Sequence, residues 1–219
     1  MNPDLISCDK VGVKICGIQT LDDAFLSIEK GADSIGLNFW NKSKRYVSRK
    51  TVEGWIDKLD PRVERVGVFV NADPMVVKSM LIDGLIHVAQ FHGNETNDYC
   101  NQFNDQFKII KAFGVKSPKS VEQATKCTVQ TILLDSYCGN DFGGSGHTFE
   151  WEFARVFQND NLNRPIILAG GLNVSNVAKA IKELSPSAVD VASGVENSQG
   201  YKDPELVERF IKLVKQSSK

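Results

Sequence analysis

Short runs rich in Val, Ile, Leu and Phe recur along the chain, and longer stretches of mixed polarity separate them. Eight such runs stand out: Val13–Ile15, Ser34–Phe39, Arg65–Val70, Ile86–Phe91, Lys108–Ala112, Thr131–Leu134, Pro165–Ala169 and Ala188–Ala192. Most are continuously apolar, the pattern of strands covered on both faces in a parallel sheet wrapped by helices. The stretches between them carry helical spacing. From Asp22 to Lys30 apolar residues fall three and four apart, and Gly31 follows as a C-terminal cap. Further on, Val174, Val177, Ala178, Ile181 and Leu184 form one stripe that leaves Lys179, Lys182 and Glu183 largely outside it. A last helix is expected over Pro204–Gln216.

Eight alternations of strand and helix predict an α/β chain folded as a (β/α)8 TIM barrel more than an open doubly wound sheet. No G-x-G-x-x-G follows the first strand, which weakens a dinucleotide-binding alternative. A length of 219 residues suits a single barrel domain. Residues 1–10 read as a short N-terminal extension and residues 11–219 as the barrel, with no linker between.

Charge and cysteine usage narrow the partners. Lys and Arg total 26 against 27 Asp and Glu, a net charge of -1 that gives no strong basic field and argues against nucleic acid or an anionic membrane. No apolar stretch approaches the roughly 20 residues that cross a bilayer. The first residues carry Asp4 and Asp9 where a secretory leader would be basic and then apolar, so a cytoplasmic location is expected. The five cysteines are odd in number and include no C-x-x-C pair, which suggests neither a disulfide framework nor a zinc site. His87, His92 and His147 lack the spacing that places two ligands on one helical face, so no metal is expected.

In such a barrel the loops after the strands share one face, where residues just past each apolar run converge. Cys16-Gly17 follow the first run, Asn38 to Arg45 the second, His92-Gly93 the fourth, Asp135-Ser136 the sixth, Gly170-Gly171 the seventh and Ser193-Gly194 the eighth. The loops after strands seven and eight are the expected phosphate site. Glycine lets backbone N–H groups close around an anion, and the helix start after Gly170-Gly171 adds its dipole. A glycine pair before a helix is often only a tight turn, but two such turns after adjacent strands favour phosphate.

A lone cysteine is usually a small buried hydrophobe. Cys16 ends a strand at the active face beside Lys14, where a thiolate can take a proton, provided its ordinary pKa of roughly 8.5 is lowered by the site or its substrate. Asp135 closes the apolar run Ile132-Leu133-Leu134, and a carboxyl at an apolar mouth loses solvation and keeps its proton more readily, as a general acid must. Arg45 offers a fork to a substrate carboxylate, although a basic run is more often a solvated loop. His92 either positions substrate or serves as a structural histidine at a strand end.

Taken together, Lys14-Ile15-Cys16-Gly17, Gly36-Leu37-Asn38-Phe39 with Lys42 to Ser48, Val66 to Asn71, Gln90-Phe91-His92-Gly93, Leu133-Leu134-Asp135-Ser136, Gly143 to Trp151, Leu168 to Asn173 and Val189 to Glu196 closely resemble the phosphoribosylanthranilate isomerase family of tryptophan biosynthesis, in order over nearly the whole chain. The resemblance implies an Amadori rearrangement of a phosphosugar, without metal or organic cofactor. It implies Asp135 as the general acid that opens the furanose ring and Cys16 as the general base at the sugar C2. It further implies Arg45 at the anthranilate carboxylate, His92 in the same pocket, and Gly170, Gly171, Ser193 and Gly194 at the phosphate. A loop around Gly144 is expected to fold over the substrate. Departures are small: Phe91 where the family usually has Leu, Asn94 where an acid is common, His147 where Lys or Gln is usual, and Ala192 where Ser is frequent. The competing readings are the histidine-pathway aminoaldose phosphate isomerase, which resembles a two-aspartate arrangement with an acid at the place of Cys16, and a catalytically silent phosphate-binding barrel. A monomer is expected ahead of a homodimer.

Overall fold

The computed structural model describes residues 5–6, 10–103, 105–115, 117–136, 154–157 and 164–217. Its strands are β1 (Gly12–Cys16), β2 (Ser34–Asn38), β3 (Glu64–Phe69), β4 (Val88–Phe91), β5 (Lys108–Val115), β6 (Thr131–Ser136), β7 (Ile166–Leu168) and β8 (Ala188–Val191). Each pairs in parallel with the next, and β1 pairs with β8, so the sheet closes into a barrel without an edge. All eight expected strands are present, with boundaries shifted by a few residues.

The apolar runs divide by their period of two into two cores. Val13, Ile15, Ile35, Leu37, Ile132, Leu134, Val189 and Val191 pack outward under the helices. Val66, Val88, Ile110, Ala112, Leu133, Ile167, Ala169 and Ala188 face one another inside the barrel, with Leu5 packed among them. Lys14, Gln90, Asp135 and Asp190 occupy positions in phase with that inner set, and all are buried.

Local signals set the helix ends. Thr20 caps Leu21–Glu29 by accepting from the Asp23 N–H at 3.1 Å. Gly31, with φ +96°, ends that helix in a Schellman turn: its N–H reaches the Ile28 carbonyl, and the Ala32 N–H reaches that of Ser27. The helix expected from Val174 begins only at Val177. Asn173 and Asn176 take over the preceding turn, because both side-chain amides donate to the Gly171 carbonyl and the Asn176 oxygen accepts from the Asn173 N–H. Its buried face is Val177, Ala180, Ile181 and Leu184, while the expected stripe member Ala178 lies at its margin. The final helix runs Pro204–Ser217.

Leu133 is wholly buried among inward side chains that the closed sheet holds in place, so they cannot collapse into the space a smaller residue would leave. Leu133→Ala is expected to lower the unfolding free energy by about 2–5 kcal/mol, read as a reduced urea midpoint at unchanged slope.

Candidate active site

The described site residues all lie on the C-terminal face of the barrel, in strand ends or in the loops that follow them. Cys16 is the last residue of β1 and Asp135 the penultimate residue of β6, both within strands instead of just beyond them. His92 follows β4, Arg45 lies in the loop after β2, Gly170 and Gly171 follow β7, and Ser193 and Gly194 open a short 3-10 turn after β8. Gly144, Cys138 and His147 lie outside the described residues.

Cys16 sits in a charged pocket that the sequence only hinted at. Lys14, one inward step earlier on β1, is fully buried and reaches Asp190 Oδ1 on β8 at 2.9 Å. Gly36 on β2 makes the room: a Cβ there would meet the Cys16 sulfur at 2.7 Å and Lys14 Nζ at 3.0 Å. Burial pushes the Cys16 thiol up, and the Asp190 charge adds to this against the opposing pull of Lys14 and Lys202. These surroundings raise the thiol, so the condition set from sequence, a lowering by the site or by its substrate, is not met by the site residues alone. For Lys14 burial acts downward, but Asp190 and Cys16 outweigh it and keep the ammonium charged.

Asp135 and His92 meet directly. His92 Nε2 lies 3.2 Å from Asp135 Oδ2, and His92 Nδ1 lies 3.1 Å from the Gln90 side-chain nitrogen. With the Gln90 amide donating, His92 Nδ1 accepts and its Nε2–H points at Asp135, a tautomer assigned from this bonding pattern. Asp135 Oδ1 and Gln90 Oε1 are buried and have no hydrogen-bond partner among the described residues. An unmet acceptor at an active face is a place for a ligand hydroxyl or a proton. Behind this pair, the Glu95 carboxylate accepts from the N–H groups of Asn71 and Gly93 at 2.7 and 2.9 Å and faces Lys111 Nζ at 3.1 Å. Lys111 also donates to the Gly93 carbonyl at 2.9 Å, so the loop carrying His92 is clamped from both sides.

Arg45 departs from the solvated basic loop. Lys42 and Lys44 are exposed, whereas Arg45 is buried and its side chain crosses Gly17, where a Cβ would meet its Cδ at 2.3 Å. Its fork is closed on Glu196, Nε to Oε1 at 2.6 Å and Nη2 to Oε2 at 2.7 Å, which leaves Nη1 as the remaining edge. Lys202 completes the group, donating to Glu196 Oε1 at 2.8 Å and to the Ala192 carbonyl at 3.3 Å.

The two glycine turns are brought together. Gly170 and Gly171 adopt φ of +82° and +64°, and a Cβ on Gly194 would meet the Leu172 carbonyl oxygen at 1.9 Å, so the loops after β7 and β8 touch. Ser193 and Gly194, first in their turn, have N–H groups with no carbonyl a turn behind them.

Sequence reading did not single out Gln90, Asp190, Glu196 or Lys202. For Asp190 the signal was a charged residue inside the apolar run Ala188-Val189-Asp190-Val191, the same anomaly that Lys14 makes in Val13-Lys14-Ile15. Glu196 and Lys202 carry no local signal, because the chain brings them to Arg45 from over a hundred and fifty positions away.

A closed parallel barrel whose C-terminal face gathers a thiol, a carboxyl, an arginine and two glycine turns is a (β/α)8-barrel enzyme in architecture. The family model described as N-(5'-phosphoribosyl)anthranilate (PRA) isomerase matches residues 13–213, and the chain belongs to that family. It is 42% identical to the N-(5'-phosphoribosyl)anthranilate isomerase of Thermotoga neapolitana, over 94% of this chain and 98% of that protein. Identity to the one from Geotalea uraniireducens is also 42%, over 93% and 98% of the two chains. Among solved structures, phosphoribosyl anthranilate isomerase from Thermotoga maritima superposes with TM-score 0.85 at 38% identity, covering 94% of this chain and 99% of that one. An isomerase in complex with reduced 1-(o-carboxyphenylamino)-1-deoxyribulose 5-phosphate superposes with TM-score 0.82 at 37% identity, covering 94% and 99%.

The His92 assignment has a spectroscopic consequence. Nitrogen NMR is expected to find the Nε2–H tautomer in the parent protein and a mixture of tautomers in Gln90→Leu, where the donor to Nδ1 is gone.

Proposed function

We propose that the chain converts N-(5-phospho-β-D-ribosyl)anthranilate to 1-(2-carboxyphenylamino)-1-deoxy-D-ribulose 5-phosphate, an Amadori rearrangement on the route from chorismate to tryptophan. Membership of the isomerase family supports the reaction. The observation that carries the residue roles is the buried Asp135 carboxyl, braced by His92 on one oxygen and unpartnered among the described residues on the other, on the same barrel face as Cys16. Asp135 donates its proton to the furanose ring oxygen, and the C1–O bond breaks to leave a protonated Schiff base. The Cys16 thiolate takes the C2 proton, giving an enolamine. Protonation at C1 and loss of the C2 hydroxyl proton then yield the ketone, restoring both groups. Substrate and product are isomers, so no redox partner is required and the proposal includes no metal or organic cofactor.

Gly170, Gly171, Ser193 and Gly194 are read as the phosphate cradle through their N–H groups, supported by the contact between the two turns. Arg45 is read as the receptor for the anthranilate carboxylate through Nη1, with Glu196 and Lys202 holding the guanidinium in place. The loop around Gly144 is read as the cover over the substrate. The cytoplasm is read as the place of work, supported by the bacterial isomerases that the chain resembles; no helix among the described residues is long and apolar enough to cross a membrane. Leu5 covers apolar surface at one end of the barrel interior, which supports a monomer; sedimentation of a species near 24.2 kDa is the expected result.

The decisive assay mixes purified protein with freshly generated phosphoribosylanthranilate and follows the loss of its fluorescence. Turnover is expected. Silence on this substrate, or turnover of the histidine-pathway aminoaldose in its place, overturns the proposal. Cys16→Ala and Asp135→Asn should each lower kcat by at least about 100-fold with little change in folding. Gly194→Ala should raise KM more than it lowers kcat, because the added methyl drives the two glycine turns apart.

A further inference from the structure

Lys14 and Asp190, side by side in register on β1 and β8, form a buried charged pair that takes no part in the reaction steps above. Apolar residues of similar size would fill that space at no cost in desolvation, and often with a gain in stability. The pair is also placed with care relative to Cys16. Lys14 and Cys16 are alternate residues of one strand and face the same way, and the missing side chain of Gly36 lets the sulfur and the ammonium both crowd the space where its Cβ would stand.

We infer that Lys14 is a positioning residue for proton abstraction: its ammonium, held by Asp190, lies against the Cys16 sulfur and faces the negative charge that the sulfur carries as a thiolate. The inference rests on the reading of Cys16 as the base. A buried thiol gives up its proton reluctantly, and an adjacent cation is the usual remedy. A buried ammonium is itself reluctant to stay charged, and a carboxylate at 2.9 Å is what keeps it so. Asp190 therefore acts in two opposed ways, securing Lys14 while its own charge opposes the thiolate. The other charges felt at the sulfur come from Lys202 and Arg45, both bound to Glu196.

These opposed effects separate a tuning role from a merely structural one. Alkylation of Cys16 by iodoacetamide is followed against pH by peptide mass spectrometry in the parent, Lys14→Met and Asp190→Asn. Lys14→Met is expected to move the alkylation profile to higher pH and to lower kcat at pH 7 at least about tenfold, with KM within about threefold. Asp190→Asn is expected to move the profile to lower pH, because the thiolate must then serve as the counter-ion of Lys14. Profiles that move together, or not at all, overturn the inference. Where the stranded charge of a single variant prevents folding, the unaltered protein decides. The Lys14 ammonium resonance should shift over the same pH range as Cys16 alkylation, and a signal indifferent to it overturns the inference. Undiminished turnover in Cys16→Ala would overturn the reading beneath and this inference with it, whereas parental alkylation profiles in both charge variants overturn this inference alone.

Discussion

Closure of β1 onto β8 is the constraint on which the rest of the molecule depends. That pairing turns a run of parallel strands into a barrel, and it sets Lys14 opposite Asp190 in its buried interior. Two charges in such a place are tolerated only as a pair with good geometry, so the ladder register and the ion pair support one another. Closure also brings Cys16, at the end of β1, to the side of the turn that follows β8. A thiol from one end of the chain and backbone amides from the other thereby share a rim.

The same constraint governs the remaining polar groups of that rim. Cys16, Asp135 and His92 stand at or directly after strand ends, where the barrel holds the backbone, while Arg45 comes from the loop after β2. Several of these groups are held in turn by a second one. Gln90 holds His92, the Glu95 and Lys111 pair holds the loop beneath it, and Glu196 with Lys202 holds Arg45. Glycine supplies the room at Gly17, Gly36 and Gly194, where any Cβ would strike Arg45, Cys16 or the Leu172 carbonyl. Asp135 and Cys16 consequently live in different surroundings: Asp135 against the His92 imidazole, Cys16 between opposite charges.

How much of this was readable in the chain follows from the range of each interaction. The strands were legible because both of their faces are buried, which leaves an unbroken apolar run that no surface element shows. Gly31 was legible as a helix stop because only a residue tolerant of positive φ closes a Schellman turn. Cys16, Asp135, His92 and the two glycine turns were legible because barrel topology sends every strand end to one face. The start of the Val174 segment was misplaced by three residues, since asparagine side chains competing for a carbonyl leave no trace in hydrophobic spacing.

The sequence by itself thus determined the alternation of elements, the barrel they compose and the face on which the candidate site residues converge, because those depend on periodicity and chain order. Only the tertiary structure decided the electrical state of the site. The Cys16 thiol is raised first by its burial and then by the charge of Asp190, and the Arg45 fork is closed by Glu196, which Lys202 also binds; these partners lie far away along the chain and meet only in space. Electrostatic terms act through distance and burial, and neither is written in the order of the residues.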